Sequence, residues 1–500
     1  MYNMIVLLLA FIITVLCFIY LTGRYNEFYW KRRNVAFYKK NKVMGVFWGF
    51  LTKDKAIFEN LWEVYKEHPN EPAIGLGSIL TPTLYVTHPK NVQHVLITDF
   101  NSFNHRGLDV NKDDLLADNI LFMDGNRWKL MRQHMTPLFT TTKLKSMYYI
   151  IDKSAIDFVT HLKENAVLLK GDAFNTISSF CCAAIGAAVF GVGTKSIFDS
   201  PFLQMSQNAF KSSFKLNLKF SLGHLCNPLF NLLGISMFKD FEDLIINAIK
   251  RVIREREADN VKRHDFADVC VSLKNAGTMV DKDSNEQLEP TDELLAAQAF
   301  FFYTAGVEPI ATVIFNSLLE LGRHPEYLAK VHNEIDEAFK LHGSMNYDAI
   351  GSMKVLDMVV NESMRIHTPV GYVTRKCVKD TVLPIGNIKI DKGTKIFVPI
   401  FELHHDAKYY PDPEVFDPER FSAENKHKIA DITYLPFGRG NRVCLGARYG
   451  ILQLKAGLVH LLRNFTVKTI ILEEGMKYSQ QQFQVRLSNF DLEFIPRNNA

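Results

Sequence analysis

Ten residues near the C-terminus constrain this chain more than any other stretch. Phe437-Gly438-Arg439-Gly440-Asn441-Arg442-Val443-Cys444-Leu445-Gly446 fills every fixed position of a Phe-x-x-Gly-x-Arg-x-Cys-x-Gly pattern. An apolar run with helical spacing follows, through Leu445, Ile451, Leu454, Leu458 and Leu461. Cys444 is therefore expected at or just before a helix N-terminus. Free backbone N–H groups and the positive end of the helix dipole favour thiolate over thiol there. Gly438 and Gly440 permit a tight turn, and Gly446 lets the backbone approach a flat group closely. Arg442 can reach an anion. A lone cysteine is ordinarily a small buried hydrophobe. The ten-residue context instead makes Cys444 a candidate metal ligand.

The chain has 500 residues, of which 47% are hydrophobic and 22% charged. That balance suits a globular enzyme and excludes a disordered one. A net charge of +4, with no basic arm or zinc spacing, gives no reason to expect nucleic-acid binding. The 38 phenylalanines fit ordinary core packing or an aromatic-lined apolar pocket. Cys17, Cys181, Cys182, Cys226, Cys270, Cys377 and Cys444 are scattered, odd in number and without disulfide spacing. A reducing compartment, where a free thiolate survives, is expected.

No charged residue occurs from Met1 to Thr22, and the apolar run from Met4 to Leu21 is long enough to cross a bilayer. At helical rise it spans about 27 Å. A cleaved signal peptide is the alternative, but no basic n-region or small-x-small site is present. Arg24, Lys31, Arg32, Arg33, Lys39, Lys40 and Lys42 follow the run. The positive-inside rule then places the body in the cytosol. The expected organisation is an uncleaved transmembrane signal anchor (1–23), a basic linker (24–53) and one catalytic domain (54–500).

Pro72–His88 alternates like two strands around a Thr81-Pro82 turn. Helical periodicity marks 126–136, 142–163, 174–191, 238–258, 325–342 and 352–367. A long helix begins near Thr291, with Asp292 and Glu293 in its first turn. The polar stretch 275–290 reads as a surface loop. The apolar stretch 214–237 reads as a packed loop. Short strands are expected within 385–400, 465–475 and 484–495.

Glu362 and Arg365 share a helix face. Such a pair alone is usually a surface ion pair of little worth. Trp128 and Arg132 also share a face, most simply as one packed and one solvated side chain. Inside the long helix, Ala305-Gly306-Val307-Glu308-Pro309 sets a proline four residues beyond the Ala305 carbonyl. A kink is expected there.

In combination these motifs resemble the cytochrome P-450 superfamily, and the resemblance covers nearly everything after the anchor. Phe103-Asn104-His105-Arg106-Gly107 and Trp128–Phe139 look like the microsomal group that includes insect detoxification and vertebrate drug-metabolising members. The resemblance implies a mainly α fold with a small β-rich region, and haem b held by the Cys444 thiolate beside Phe437. It implies that Trp128, Arg132, Arg375 and Arg442 meet the haem propionates. For 214–237 it implies partial immersion in a membrane as the alternative to a packed loop. Arg420, in Pro418-Glu419-Arg420-Phe421, would join Glu362 and Arg365 in a buried network behind the haem loop. Ala305, Gly306 and Glu308 match the family's oxygen-activating segment, but Pro309 stands where the family usually has threonine. Thr304 and Thr312 are the nearest substitute hydroxyls. Phe301, Thr304, Val370, Val373 and Phe483 are candidate substrate-pocket residues, with plain core packing the alternative.

The implied reaction inserts one oxygen atom from O2 into an apolar small molecule. Electrons would come from NADPH through an NADPH–cytochrome reductase, with cytochrome b5 as a second donor. The expected location is the endoplasmic reticulum membrane, single-pass, with the catalytic domain facing the cytosol. Lys129, Lys143, Lys145, Arg439 and Arg448 would steer an acidic reductase. The rivals are a haem-thiolate isomerase, dehydratase or peroxygenase of oxidised lipids, and a non-catalytic haem-binding protein.

Overall fold

Apolar residues at helical spacing become helices at the expected places. The computed structural model describes residues 2–53, 55–111, 113–191, 202–205, 213–259 and 262–497. Met1 of the expected anchor and residues 498–500 lie outside them. Helices run over Gly125–Met135, Thr141–Glu164, Ala173–Phe190, Glu242–Asp259, Pro325–His342 and Lys354–Ile366. The N-terminal helix α1 spans Tyr2–Lys31. The long helix is interrupted, as α2 (Asp292–Ala305) and α3 (Glu308–Arg323). The Thr291 hydroxyl caps α2 by accepting from the Leu294 N–H. Helix α4 (Lys354–Ile366) carries Glu362, and α5 (Ala447–Asn464) follows Cys444.

The β-rich region is a five-stranded sheet built from β1 (Ala36–Phe37), β2 (Ala73–Leu76), β3 (Thr83–Val86), β4 (Tyr372–Lys376) and β5 (Lys395–Pro399). Its spatial order is β1-β2-β3-β5-β4. β2 and β3 pair antiparallel around the Thr81-Pro82 turn; β3 and β5 run parallel, and β4 and β5 antiparallel. Phe465–Ile471 pairs antiparallel with Phe490–Pro496. The fold is thus mainly helical with small sheets, as the sequence implied.

Three expectations change. The 275–290 stretch is not simply a loop: Met279–Val280 pairs with Gln287–Leu288, and Met279 and Leu288 are buried. The 214–237 stretch is two helices, Phe214–Leu225 and Asn227–Leu232. The 24–53 segment is not free chain. It holds the last turns of α1, strand β1 and the helix Val46–Thr52, each with buried residues.

The Glu362–Arg365 pair is wholly buried, both side chains at 0% exposure. Arg365 donates from Nε and Nη2 to the two Glu362 oxygens at 2.8 and 2.7 Å, and from Nη1 to the His404 carbonyl at 2.8 Å. Arg420 Nε stands 3.4 Å from Glu362 Oε1, which also accepts the Asp417 N–H at 3.0 Å. Every Glu362 oxygen therefore has a donor, the condition under which a buried ion pair is tolerated.

Glu402, in the short helix Phe401–His404, is buried without such partners. Among the described residues neither carboxylate oxygen has a well-formed hydrogen bond, though the Tyr85 hydroxyl stands near enough to act on it. Burial pushes the Glu402 carboxyl up to about 8, against the pull of its backbone and of Tyr85. The folded protein thus holds a proton that the unfolded chain releases above the ordinary value of 4.5. Stability is full below that value and falls as pH rises through the folded one. Glu402→Gln, which removes the titration, is expected to flatten the decline of thermal midpoint between pH 5 and 8. An equal decline in the variant would place its cause elsewhere.

Candidate active site

The Cys444 loop is closed by its own backbone. The Cys444 N–H donates to the Phe437 carbonyl at 2.9 Å, Val443 N–H to Gly440 at 3.0 Å, and Gly438 N–H to Leu435 at 2.9 Å. Gly440 sits at φ +76°, and a Cβ there would overlap the Leu96 carbonyl. Helix α5 starts at Ala447, so Cys444 lies just before its N-terminus, as expected. Cys444 is accessible although Arg442 and Tyr449 beside it are buried. Ala305, at the end of α2, is likewise accessible between buried Thr304 and Gly306. Gln453 of the helix after Cys444 donates to the Gly306 carbonyl, so these two accessible points lie on segments that meet, and the space between them is the candidate cleft. Phe139 helps to bound it, with its ring 5.6 Å from Phe302 and its edge 3.5 Å from where a Gly446 Cβ would stand.

The Cys444 thiol is pushed up by burial, and the Gly446 N–H, Arg106 and Arg132 oppose that push. These guanidiniums belong to a larger cluster. Arg442 donates to the Asn104 carbonyl at 2.8 Å and the Met123 carbonyl at 2.7 Å, and stacks 4.3 Å over the Trp128 ring. Its Nη1 has no partner, nor does Nε of Arg375 or Arg106. Arg106 donates to the Arg442 carbonyl at 3.2 Å, and Arg375 to the Thr374 carbonyl at 2.7 Å. The Thr374 hydroxyl donates to the Arg106 carbonyl at 2.6 Å, tying the loop to β4.

Burial and mutual repulsion push Arg106 down to about 10, Arg375 to about 9 and Arg442 to about 8. A guanidinium keeps its proton even so. The push therefore measures uncompensated positive charge, against which Asp124 supplies one carboxylate. Buried guanidinium nitrogens without acceptors, beside an accessible cysteine, fit a ligand that brings its own carboxylates. The propionates of haem meet that description, and Arg106, Arg132, Arg375, Arg442 and Trp128 could hold them. Sequence reading missed Arg106; its only signal was its place in the Phe103–Gly107 stretch.

Above the cleft, α2 ends at Ala305 and α3 begins at Glu308, so the expected kink is a break with Pro309 in the first turn of α3. Proline is well placed where helical N–H groups lack partners. The freed Gly306 carbonyl accepts from Gln453 Nε2 of α5 at 3.1 Å. A Cβ on Gly306 would stand 2.6 Å from Ile185 Cγ1, so packing requires glycine there.

Glu308 faces Arg486, with Oε1 3.8 Å from Nη1. Burial raises the Glu308 carboxyl to about 7, and Arg486 pulls it down. Arg486 was also absent from the sequence reading, being far away in the chain. The Thr304 hydroxyl donates to the Phe300 and Phe301 carbonyls at 2.9 and 3.1 Å, and Thr312 to the Glu308 carbonyl at 2.9 Å. Both hydroxyls are engaged within their own helices.

Among the suggested pocket residues, Phe483 is tied beside Val370 by the Gly371 N–H, which donates to the Phe483 carbonyl at 2.8 Å, whereas Val373 packs against a different apolar cluster from Phe483. Phe301 is half-buried on α2, while Thr304 is turned into its helix. A pocket of about 260 Å3 opens nearer the surface, lined by Leu51, Thr52, Phe214, Asn217 and Gln480. On the surface, Lys129 pairs with Asp281 at 3.2 Å, Lys145 with Asp348 at 2.6 Å and Arg439 with Asp431 at 3.2 Å. Arg448 donates to Thr141.

The family model described as Cytochrome P450 matches residues 40–494. The chain belongs to the cytochrome P450 family. It is similar to Cytochrome P450 6k1 of Blattella germanica, at 31% identity over 91% of this chain and 89% of the relative. Cytochrome P450 6j1 of the same species shares 32% over 93% and 92%. Probable cytochrome P450 6a18 of Drosophila melanogaster shares 32% over 88% of each chain. This P450 is a haem-dependent monooxygenase and hence an oxidoreductase.

If the guanidiniums neutralise propionates, Arg106→Ala and Arg375→Ala each lose a charge-assisted hydrogen bond. Haem release to apomyoglobin is expected to quicken by roughly 10- to 100-fold. Release at the wild-type rate in both variants would remove the arginines from cofactor holding.

Proposed function

We propose that this P450 inserts one oxygen atom from O2 into an apolar small molecule. NADPH electrons arrive through a flavoprotein reductase, with cytochrome b5 as a second donor. The observation that carries the reading is the accessible Cys444 beside an arginine cluster short of counter-charge. Cys444 would hold the haem iron through its thiolate, and the bound group would supply the O–O cleavage chemistry.

The protein's own share is charge, shape and proton handling. Arg106, Arg132, Arg375 and Arg442 orient the cofactor. Ala305 and the Gly306–Val307 break leave room beside it, with Phe301, Val370, Val373 and Phe483 as apolar walls. Glu308, raised to about 7, can hold or release a proton near neutral pH. Arg486 sets that balance. With Thr304 and Thr312 engaged, no hydroxyl at 309 and none next to it, proton transfer runs through Glu308 and water.

The location proposed is the endoplasmic reticulum membrane, single-pass, with the domain in the cytosol. Tyr2–Lys31 supports it as a candidate span of mean hydropathy 3.1 with no buried residue in its apolar window. Exposed Phe214, Leu218, Leu229, Leu232 and Leu233 favour a second lipid contact near the 260 Å3 pocket. Of the proximal cations, Lys129, Lys145 and Arg439 already pair with Asp281, Asp348 and Asp431, so a docking reductase exchanges these ion pairs.

A protonated Glu308 as the donor makes NADPH-dependent turnover fall as pH rises through about 7. Glu308→Gln is expected to lower turnover by roughly 100-fold. Arg486→Leu removes the charge that holds Glu308 down and should move the falling limb to higher pH. Pro309→Thr should give more product per NADPH and less hydrogen peroxide. A limb unmoved by Arg486→Leu would remove Glu308 from proton delivery. Turnover of a lipid hydroperoxide without NADPH would favour the isomerase or peroxygenase reading.

A further inference from the structure

Helix α1 does not end where its apolar span ends. Residues 2–21 are exposed, but from Gly23 one face of the same unbroken helix is buried, through Gly23, Asn26, Tyr29 and Trp30. That spacing is a single helical stripe. Trp30, at 0% exposure, lies in a notch over β2, where a Cβ on Gly75 would overlap its ring. A Cβ of any size on Gly23 would already press on Lys42, whose Cβ is 3.1 Å away.

Polar contacts fix the same face. Asn26 Nδ2 donates to the Ser78 carbonyl at 2.6 Å and the Lys42 carbonyl at 2.8 Å. The Tyr29 hydroxyl donates to Asp391 Oδ2 at 2.7 Å, and Arg33 pairs with the same carboxylate while stacking 3.8 Å over the Tyr29 ring. Lys42 meets Glu27 at 2.6 Å. The chain then turns at Asn34, φ 57°, and enters β1, which pairs in parallel with β2 through Ala36↔Ile74 and Phe37↔Gly75. Asp391 lies in the turn that leads into β5, the partner of the strand that carries Arg375.

We propose that α1 is a rigid strut, a single helix that crosses the bilayer and is bolted to the five-stranded sheet, fixing the tilt and height of the catalytic domain over the lipid. The folded domain then begins at Gly23, well before the expected boundary at residue 54. No proline or glycine lies between Gly23 and Gly45 to act as a hinge. The proposal rests on the membrane reading of α1. Its consequence is that the exposed side chains of Trp48, Phe214 and Leu218 meet the lipid at one set depth.

The test uses the full-length holoenzyme in phospholipid bilayers, read by thermal midpoint and by time-resolved anisotropy of the haem absorbance. The wild type should show slow whole-body rotation alone. A Gly-Ser-Gly-Ser insertion between Thr22 and Gly23 keeps the docked face, so it should leave the midpoint unchanged but add a fast wobble. Trp30→Ala should add the wobble and lower the midpoint by roughly 5 °C. Phe28→Ala, on the exposed face of the same turn, should do neither. A wild type that wobbles as freely as the insertion variant overturns the strut. Trp30→Ala and Phe28→Ala with equal midpoints overturn the docking. If the wild type fails to float with the vesicles, the membrane reading falls, and the Trp30–Phe28 contrast in midpoint still decides whether α1 is part of the fold.

Discussion

Arg375 and Arg442 are buried beside the half-buried Arg106, which depresses both, and Asp124 is the carboxylate that acts on Arg442. Charge of one sign cannot be gathered inside a protein without a compensating partner. The rest of the site follows from that constraint. Arg106 is held by the loop at Phe103–Gly107, Arg375 by β4 and Arg442 by the Cys444 loop. A single anionic ligand between them joins three distant parts of the chain. Arg106 and Arg132 also favour a thiolate at Cys444 against the upward push of burial.

A second buried charge group works in the opposite way. Glu362 pairs with Arg365 at 2.7 Å and stands 3.4 Å from Arg420, with the Asp417 carboxylate 4.0 Å from Arg420 as the second negative charge. Its job is to hold α4 against the segment that leads into the Cys444 loop. One cluster is complete and therefore rigid; the other is incomplete and therefore receptive. Between them, the break at Gly306–Val307 is eased because Gln453 covers the Gly306 carbonyl, next to the Ala305 carbonyl that Pro309 cannot serve.

Local patterns made much of this legible in the sequence. Cys444 and its helix follow from ten contiguous residues, and Glu362–Arg365 from helical spacing. The helix boundaries follow from apolar periodicity within a residue or a few. What the sequence hid is tertiary. Arg486 meets Glu308 across 178 positions, and Arg106 joins the cluster only because Thr374 ties its loop to β4. The Met279–Leu288 hairpin was hidden by polar flanks, since only those two side chains anchor it. The 24–53 stretch was masked by its cations. They obscured a buried stripe of Gly23, Asn26, Tyr29 and Trp30 that continues the periodicity of α1.

The measurement closest to the central claim is the absorption spectrum of the reduced, carbon monoxide-bound protein. The account predicts the strongly red-shifted Soret band of thiolate ligation in the wild type and its complete loss in Cys444→Ala. Single alanine variants of Cys17, Cys181, Cys182, Cys226, Cys270 and Cys377 should keep it. A red-shifted band that survives in Cys444→Ala would contradict the assignment of the thiolate, and with it the site built around it.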